Sequence, residues 1–284
     1  MRPFLLDEAE SLDNALQLLS ADGEAHLIAG GTSVMLLMQL GLMEPTHLIS
    51  LRRVTELRGV STGPDGGLEI KAMTTHRALE TSPTVTQFCP ALSETFGHVA
   101  TIRIRNQGTL GGNLAHADPA QDPPPMLIAL DATVSLRSAK GERTLPLEKF
   151  FTGYLSSVAE PDEILTSISV PPLPPGTKAT YVKFLPRTQD DYATVSVAAT
   201  LRMNGDRCED VRVALGSVAP TPVRAHSVES ALRGQPLTDA TIRDAAALVD
   251  SVLDPPDDAR GSADYKRRMA RVWTERALRQ LRDA

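Results

Sequence analysis

The spacing of apolar residues in the first part of the chain predicts short helices and strands that follow one another closely. Leu12, Ala15, Leu16 and Leu19 recur at helical spacing behind Ser11, a residue type that caps helix N-termini. The same reasoning predicts further elements: strands at 25–29, 47–51 and 163–170, antiparallel strands within 59–72, a hairpin of 132–138 with 143–146, and helices at 32–40, 52–57, 75–80, 91–100 and 126–130.

A proline-rich segment, Pro171 to Gly176, separates this part from a second pattern. Prolines cannot donate to a strand ladder and favour a stiff, extended connection. Beyond it the pattern predicts three strands followed by helices: strands at 179–185, 193–203 and 208–217, and helices at 227–232, 239–253 and 263–282. Asn204-Gly205 is a strong hairpin signal between the last two strands. We therefore predict a first domain at 1–175 and an α+β domain at 176–284, with a three-stranded antiparallel sheet plus helices.

Two glycine-rich segments are candidates for a ligand site. The longer one runs from Thr101 to Asp122, contains Gly108, Gly111 and Gly112, and is followed by three prolines. The shorter one, Leu27 to Val34, joins a predicted strand to a helix that Thr32 or Ser33 is predicted to cap. The positive end of that helix would face a bound anion.

Glycine lacks a Cβ atom, so the three glycines of the longer segment can take positive φ and let a ligand approach the main chain. Successive amides in such a turn can form a concavity for anions, with the Thr109 hydroxyl and the Asn113 side-chain amide as additional donors. The alternative for the longer segment is an ordinary glycine turn between two strands. Two such segments together suit a diphosphate.

Composition and charge exclude several other classes of protein. The 284 residues are 42% hydrophobic with a net charge of −6, which indicates a globular chain without the basic surface of a general nucleic-acid or membrane binder. There is no apolar run of signal-peptide or membrane-spanning length, so a cytoplasmic protein is expected. Two distant cysteines cannot supply an iron–sulfur or zinc site. The basic residues near the C-terminus are predicted to form the polar face of a helix: Lys266, Arg267, Arg268, Arg271, Arg276, Arg279 and Arg282.

Taken in order, these motifs resemble those of the FAD-binding medium subunits of molybdenum hydroxylases, such as carbon monoxide dehydrogenase and xanthine dehydrogenase. The resemblance covers nearly the whole chain. Its motifs are Ala29-Gly30-Gly31-Thr32-Ser33, the run from Arg105 to Ala115, Asp118-Pro119-Ala120-Gln121-Asp122, Asp162-Glu163-Ile164-Leu165, Lys183, Arg187 and Asp190-Asp191-Tyr192-Ala193.

The resemblance implies the fold and the cofactor. The fold would be the α+β, two-subdomain FAD-binding type shared with para-cresol methylhydroxylase, with subdomains of about 1–55 and 56–175, followed by the family's C-terminal domain. FAD would lie extended, with its diphosphate between the two glycine segments. The implied cofactor-binding residues are Leu27, Ile28, Ala29, Gly30, Gly31, Thr32, Ser33, Val34, Thr109, Leu110, Gly111, Gly112, Asn113, Asp122, Leu165, Lys183 and Tyr192.

Four of these residues would contact the flavin itself. Asp122 matches the family's flavin-contacting aspartate, and Leu165 and Lys183 match an apolar and a cationic contact. A lysine beside the flavin N1–C2 carbonyl region would raise its reduction potential. Tyr192 matches a tyrosine that lies against the isoalloxazine ring. The alternatives are an exposed strand lysine at 183 and a packed aromatic residue at 192.

By the same resemblance the chain would be an electron-transfer subunit with no catalytic side chain of its own. A large subunit would hold the molybdenum cofactor and a small subunit two [2Fe–2S] clusters, in a dimer of heterotrimers, and FAD would pass the electrons to an external acceptor. No metal site is expected in this chain, since no histidines stand at ligand spacing. The alternatives are a stand-alone FAD-dependent oxidoreductase of the same fold and a scaffold subunit without a cofactor.

Overall fold

A computed structural model describes residues 2–186, 188 and 191–284. Arg187 and Asp190, two residues of the family resemblance, lie outside this range. The first elements build a three-stranded parallel sheet in the order β1-β3-β2. They are β1 (Leu5–Glu8), α1 (Leu12–Ala21), β2 (Ala25–Ile28), α2 (Thr32–Gln39) and β3 (His47–Ser50), followed by a 3₁₀ turn at Thr55–Leu57.

Helix α1 packs on this sheet as its apolar spacing predicts. The Ser11 hydroxyl accepts a hydrogen bond from the Asn14 amide at 3.1 Å, which caps the helix. Leu12, Ala15, Leu16 and Leu19 are buried in one hydrophobic cluster with Ile49 of β3, among others. This small core fixes β2, and therefore the start of the first glycine segment.

The next elements surround a five-stranded antiparallel sheet in the order β4-β5-β10-β6-β7. They are β4 (Val60–Thr62), β5 (Leu68–Lys71), α3 (His76–Glu80), α4 (Pro83–Phe88), α5 (Pro90–Gly97), α6 (Ile102–Gln107), α7 (Leu110–His116), α8 (Pro123–Ala129), β6 (Thr133–Ser138), β7 (Gly141–Pro146), β8 (Phe151–Gly153), β9 (Ser156–Ser157) and β10 (Ile164–Val170). The predicted antiparallel pairing of β4 with β5 and the predicted hairpin of β6 with β7 are confirmed. Helix α4 was not predicted.

The longer glycine segment is not an open loop. Thr101 caps α6 and Thr109 caps α7, so most of it is helical. The prediction of positive φ is wrong: φ is −61° at Gly108, and Gly111 and Gly112 lie within α7. Side-chain caps and packing stabilise these two short helices despite the glycines.

The C-terminal elements form a four-stranded antiparallel sheet, β11-β12-β13-β14, covered by helices. They are β11 (Lys178–Phe184), β12 (Val195–Asn204), β13 (Arg207–Gly216), β14 (Val223–Arg224), α9 (His226–Leu232), α10 (Asp239–Ala246), a 3₁₀ segment at Ala247–Val252, and α11 (Ala263–Asp283). The two-residue β14 adds to the three predicted strands. Lys266 is not on a solvated face: its side chain is 2% exposed and its Nζ lies 2.7 Å from Asp258.

Buried contacts join the C-terminal sheet to the preceding part. Ala198 of β12 and Ala214 of β13 belong to the same hydrophobic cluster as the residues of α8. Arg224 of β14 forms ion pairs with Asp131, which follows α8, and with Glu229 of α9. These contacts bring β11 to the mouth of the site described next.

Candidate functional site

A cleft of about 650 Å³ opens where the first glycine segment, α6, α7 and β11 meet. The cleft collects nearly all the residues predicted to bind the cofactor. Ile28 and Leu110 do not line it, and Leu110 is fully buried in the core. The predicted residues that do line it are Leu27, Ala29, Gly30, Gly31, Thr32, Ser33, Val34, Thr109, Gly111, Gly112, Asn113, Asp122, Leu165, Lys183 and Tyr192.

The N-terminus of α2 supplies unpaired backbone donors to the cleft. Gly31, with φ of 75°, occupies the N-cap position and provides no side-chain cap, so the prediction of Thr32 or Ser33 as the cap is wrong. Among the described residues, no acceptor pairs with the amides of residues 32–34. Three free N–H groups and the positive end of an eight-residue helix can therefore receive an anion.

The backbone of the second segment is engaged within the protein. Each amide from residue 110 to residue 113 has an acceptor. The Leu110 and Gly111 amides donate to the carbonyl oxygens of Thr74 and Ala72, at 3.0 and 2.8 Å. The Gly112 and Asn113 amides donate to the hydroxyl and the carbonyl oxygen of Thr109, at 3.2 and 2.9 Å. The predicted anion concavity is therefore wrong for these four amides. Of the two segments, α2 is therefore the one with free amides for an anion, while α7 contributes residues to the cleft lining.

The glycines are needed for close approach of one backbone to another. A Cβ atom on Gly30 would lie 2.0 Å from the carbonyl oxygen of Gln107, and one on Gly111 would lie 2.5 Å from the Cβ of Ala72. Both contacts are shorter than real Cβ atoms show. Gly30 therefore lets the β2–α2 segment lie against the α6–α7 junction, which sets the width of the cleft.

Three residues that line the cleft each have a buried polar atom without a hydrogen-bond partner among the described residues: His76 Nδ1, Asn113 Oδ1 and Gln121 Oε1. Buried polar atoms in proteins are nearly always paired, so these atoms indicate a polar ligand. Of the three, only Asn113 was predicted as a site residue. Gln121 lies inside the Asp118–Asp122 motif, whereas no sequence signal distinguishes His76.

His76 is a neutral group in this site. Burial, and secondarily the positive charge of Arg105, lowers the pKa of His76 to about 4. A neutral imidazole offers one donor and one acceptor nitrogen. His76 can therefore pair with a hydroxyl or amide of the ligand without adding charge.

Asp122 and Lys183 form a buried ion pair in the cleft. Lys183 Nζ lies 3.0 Å from Asp122 Oδ2 and donates to the carbonyl oxygen of His98 at 2.8 Å. Tyr181 donates to the other oxygen of Asp122 at 2.7 Å. An ammonium group has three donors, and the part of the chain that the structure describes pairs two of them, so one N–H of Lys183 can serve a ligand. The alternative of an exposed strand lysine is wrong, since the side chain is 2% exposed.

Leu165 and Tyr192 provide apolar surface on the cleft wall. Leu165 is buried on β10, and Tyr192 is 38% exposed. The Arg260 guanidinium lies over the Tyr192 ring, with its Cζ atom 5.4 Å from the ring centroid. Burial, and secondarily the charge of Asp118, raises the pKa of Tyr192 to about 12, so its hydroxyl stays protonated at neutral pH. The Asp118 carboxylate accepts from the Ala120 amide at 2.8 Å, which makes it a turn-stabilising residue.

Sequence families match almost the whole chain. Residues 3–173 match the FAD binding domain in molybdopterin dehydrogenase, and residues 180–281 match the CO dehydrogenase flavoprotein C-terminal domain. The chain belongs to the FAD-binding medium subunits of molybdenum hydroxylases. It is thus an FAD-containing subunit of an oxidoreductase, as its motifs predict.

Relatives of this family match in sequence over nearly their full length. The medium chain of glyceraldehyde dehydrogenase from Sulfolobus acidocaldarius is 35% identical over 278 residues, which cover 98% of each chain. The medium chain of carbon monoxide dehydrogenase from Hydrogenophaga pseudoflava is 37% identical over 270 residues, 95% of this chain and 93% of the relative.

Solved structures of the family have the same fold. A structure of carbon monoxide dehydrogenase from Hydrogenophaga pseudoflava aligns with a TM-score of 0.95 at 37% identity, covering 98% of this chain and 96% of that one. Quinoline 2-oxidoreductase from Pseudomonas putida 86 aligns with a TM-score of 0.93 at 34% identity, covering 99% and 98%. The expected FAD-binding fold of the medium subunits is confirmed. Over the described residues, no helix has the length and apolar character to cross a membrane.

Proposed function

We propose that the cleft holds FAD as the electron carrier of a molybdenum hydroxylase, between the iron–sulfur clusters of a partner subunit and an external acceptor. The observation that carries the proposal is the geometry of the cleft. Free amides at the N-terminus of α2 face it from one side, and the Asp122–Lys183 pair faces it from another. An extended ligand with a diphosphate at one end and a polar, aromatic ring at the other suits this arrangement.

Each group of residues would have a distinct task. The amides of 32–34 bind the diphosphate, and Asn113 and Gln121 pair with donors of the ligand through the oxygens that lack partners. Leu165 and Tyr192 pack against the ring system and exclude water from it. The free N–H of Lys183 donates to the flavin. When bound, FAD supplies the redox chemistry, and the protein supplies binding, orientation and electrostatics.

Lys183 is a weaker source of positive potential than a lone lysine would be. Its charge is balanced by the Asp122 carboxylate at 3.0 Å. The rise in reduction potential expected from a lysine near the flavin therefore depends on the ionisation of Asp122. The protonation state of the Asp122–Lys183 pair would therefore influence the reduction potential of the flavin.

The resemblance also supports a proposal for the assembly. Relatives are named as medium chains or as subunits of dehydrogenase complexes. We propose that this chain assembles with a large molybdopterin-binding subunit and a small [2Fe–2S] subunit as a dimer of heterotrimers in the cytoplasm. Within the chain we propose an FAD-binding domain at 1–175, with subdomains of about 1–55 and 56–175, and a C-terminal domain at 176–284.

The visible absorption spectrum of the purified chain, before and after addition of FAD, tests the cofactor site. Flavin bands that persist through gel filtration, or that return in stoichiometric amount when FAD is added, are expected. A folded chain that retains no flavin even after addition would favour a scaffold subunit without a cofactor. Flavin bound together with substrate turnover by the isolated chain would favour a stand-alone oxidoreductase.

A further inference from the structure

Tyr181 connects the C-terminal sheet to the charged pair of the cleft. Tyr181 and Lys183 are two residues apart on β11, so their side chains lie on the same face of the strand. Both donate to one carboxylate: Tyr181 to Oδ1 of Asp122 at 2.7 Å, and Lys183 to Oδ2 at 3.0 Å. Tyr181 is 9% exposed and does not line the cleft, and it meets the cleft through its hydrogen bond to Asp122 and through packing against the His98 ring.

We propose that Tyr181 is a positioning residue that keeps Asp122 ionised and paired with Lys183, and thereby sets the net charge beside the flavin. This inference rests on the proposed binding of FAD in the cleft. A hydroxyl that donates to a carboxylate stabilises its charged form. With Tyr181 in place the pair is neutral overall. Without its hydroxyl, Asp122 takes up a proton more readily and leaves the Lys183 charge unbalanced.

The surroundings of Asp122 support this role. Burial raises the pKa of Asp122, whereas the Lys183 charge and the hydrogen bonds from Tyr181 and Lys183 lower it. His98 and Tyr192 are titratable neighbours of Asp122, whose charge acts on both. Burial lowers the pKa of His98, and Tyr192 stays protonated at neutral pH. Asp122 therefore holds the negative charge of the pair, and burial makes this carboxylate easier to protonate.

The decisive experiment is the reduction potential of the bound flavin, measured between pH 5 and pH 9 for the wild type and for Tyr181→Phe in the assembled complex. A lost hydrogen bond to a charged group shifts the proton equilibrium of Asp122 by about tenfold to a hundredfold. The Phe variant should match the wild type at high pH and show a higher potential at low pH. The rise should begin about one to two pH units above the corresponding rise in the wild type.

Two controls separate this effect from a structural one. Tyr265→Phe removes a hydroxyl from α11, outside the cleft lining, and should leave the potential curve unchanged. In an Asp122→Asn background, Tyr181→Phe should no longer alter the pH dependence. Coincident curves for wild type and Tyr181→Phe at every pH, with flavin bound in both, would overturn the inference and leave the proposed FAD site intact. Loss of flavin from the wild type would instead overturn the proposed function.

A nearly isosteric replacement covers the case in which the Phe variant does not fold. 3-Fluorotyrosine at position 181 keeps the ring and the hydroxyl but is a stronger hydrogen-bond donor. It should shift the rise in potential to lower pH, opposite to the Phe variant. A curve that coincides with the wild type down to pH 5, or that shifts to higher pH, would contradict the role of Tyr181.

Discussion

Replacing Gly30 by alanine should separate the two segments that form the cleft. The added Cβ would lie 2.0 Å from the carbonyl oxygen of Gln107, and 2.7 Å from its carbonyl carbon. Both neighbours are backbone atoms, so no side chain can rotate away. Reaching the 3.0 Å below which Cβ contacts are essentially absent requires a displacement of about 1 Å. Overpacking of this kind costs about 1–3 kcal/mol of stability.

The displacement should weaken FAD binding more than it weakens the fold. It moves the β2–α2 segment, whose free amides are proposed to bind the diphosphate. Each lost hydrogen bond to a charged oxygen costs about 1.5–3 kcal/mol, or roughly tenfold to a hundredfold in affinity. Titration of the apoprotein with FAD, followed by flavin fluorescence, measures this loss directly.

Gly23→Ala is the matched control for this experiment. Gly23 lies just before β2 and does not have positive φ, and no atom of the described residues comes within 4 Å of an added Cβ. This variant should bind FAD as the wild type does, with equal or slightly higher thermal stability. If Gly30→Ala bound FAD with wild-type affinity, the close approach of the two segments would have no part in the site.

Two further predictions concern stability. His76 has a folded-state pKa of about 4, against 6.5 ordinarily. Its contribution to the free energy of unfolding is therefore complete above about pH 6.5 and is lost as the pH falls toward 4. That loss amounts to roughly 3 kcal/mol, and His76→Leu should remove it from urea unfolding curves measured across this range; an unchanged pH dependence would refute the assignment. Arg224→Met should cost about 3–5 kcal/mol because it leaves the 3% exposed Glu229 side chain without its cation. Arg243→Met, at a 62% exposed side chain, is the control and should cost almost nothing, and equal losses for both arginines would contradict the role of burial.

Local sequence signals predicted much of the fold because several elements carry their own caps and turns. Ser11 before α1, Thr75 before α3 and Asn204-Gly205 between β12 and β13 act within a few residues of the elements they define. The pattern of the first glycine segment, a strand followed by glycines and a helix, likewise depends on local geometry. The N-cap differs from the prediction because the chain enters α2 with φ of 75° at residue 31, a left-handed conformation that glycine adopts without strain, and the helix then begins at Thr32.

The second glycine segment shows where local reasoning fails. Glycines disfavour helices, so Gly111 and Gly112 suggested a loop. The structure instead places them in α7, where the absence of a side chain lets the helix pack against Ala72. The amides of this segment bond to backbone and cap acceptors, two of them in the β5–α3 connection. Those two acceptors lie 35 or more residues earlier in the chain, and the other two belong to Thr109, which caps the helix. No periodicity in the sequence reveals either kind of partner.

The same distinction applies to the site residues. Asp122, Lys183 and Tyr192 could be proposed because the family resemblance assigns them to motifs. The pairing of Asp122 with Tyr181, by contrast, joins the residue before α8 to β11 through tertiary packing alone. His76 likewise carries no local signal, and its neutral state follows from burial beneath other elements.

Purification of the chain with its co-expressed partner subunits, followed by flavin and metal analysis of each subunit, tests the central claim most directly. The account predicts stoichiometric FAD in this chain, with iron and molybdenum confined to the other two subunits of the complex. A catalytically competent flavoprotein that contains this chain alone would contradict it, as would a complete complex whose FAD resides in another subunit.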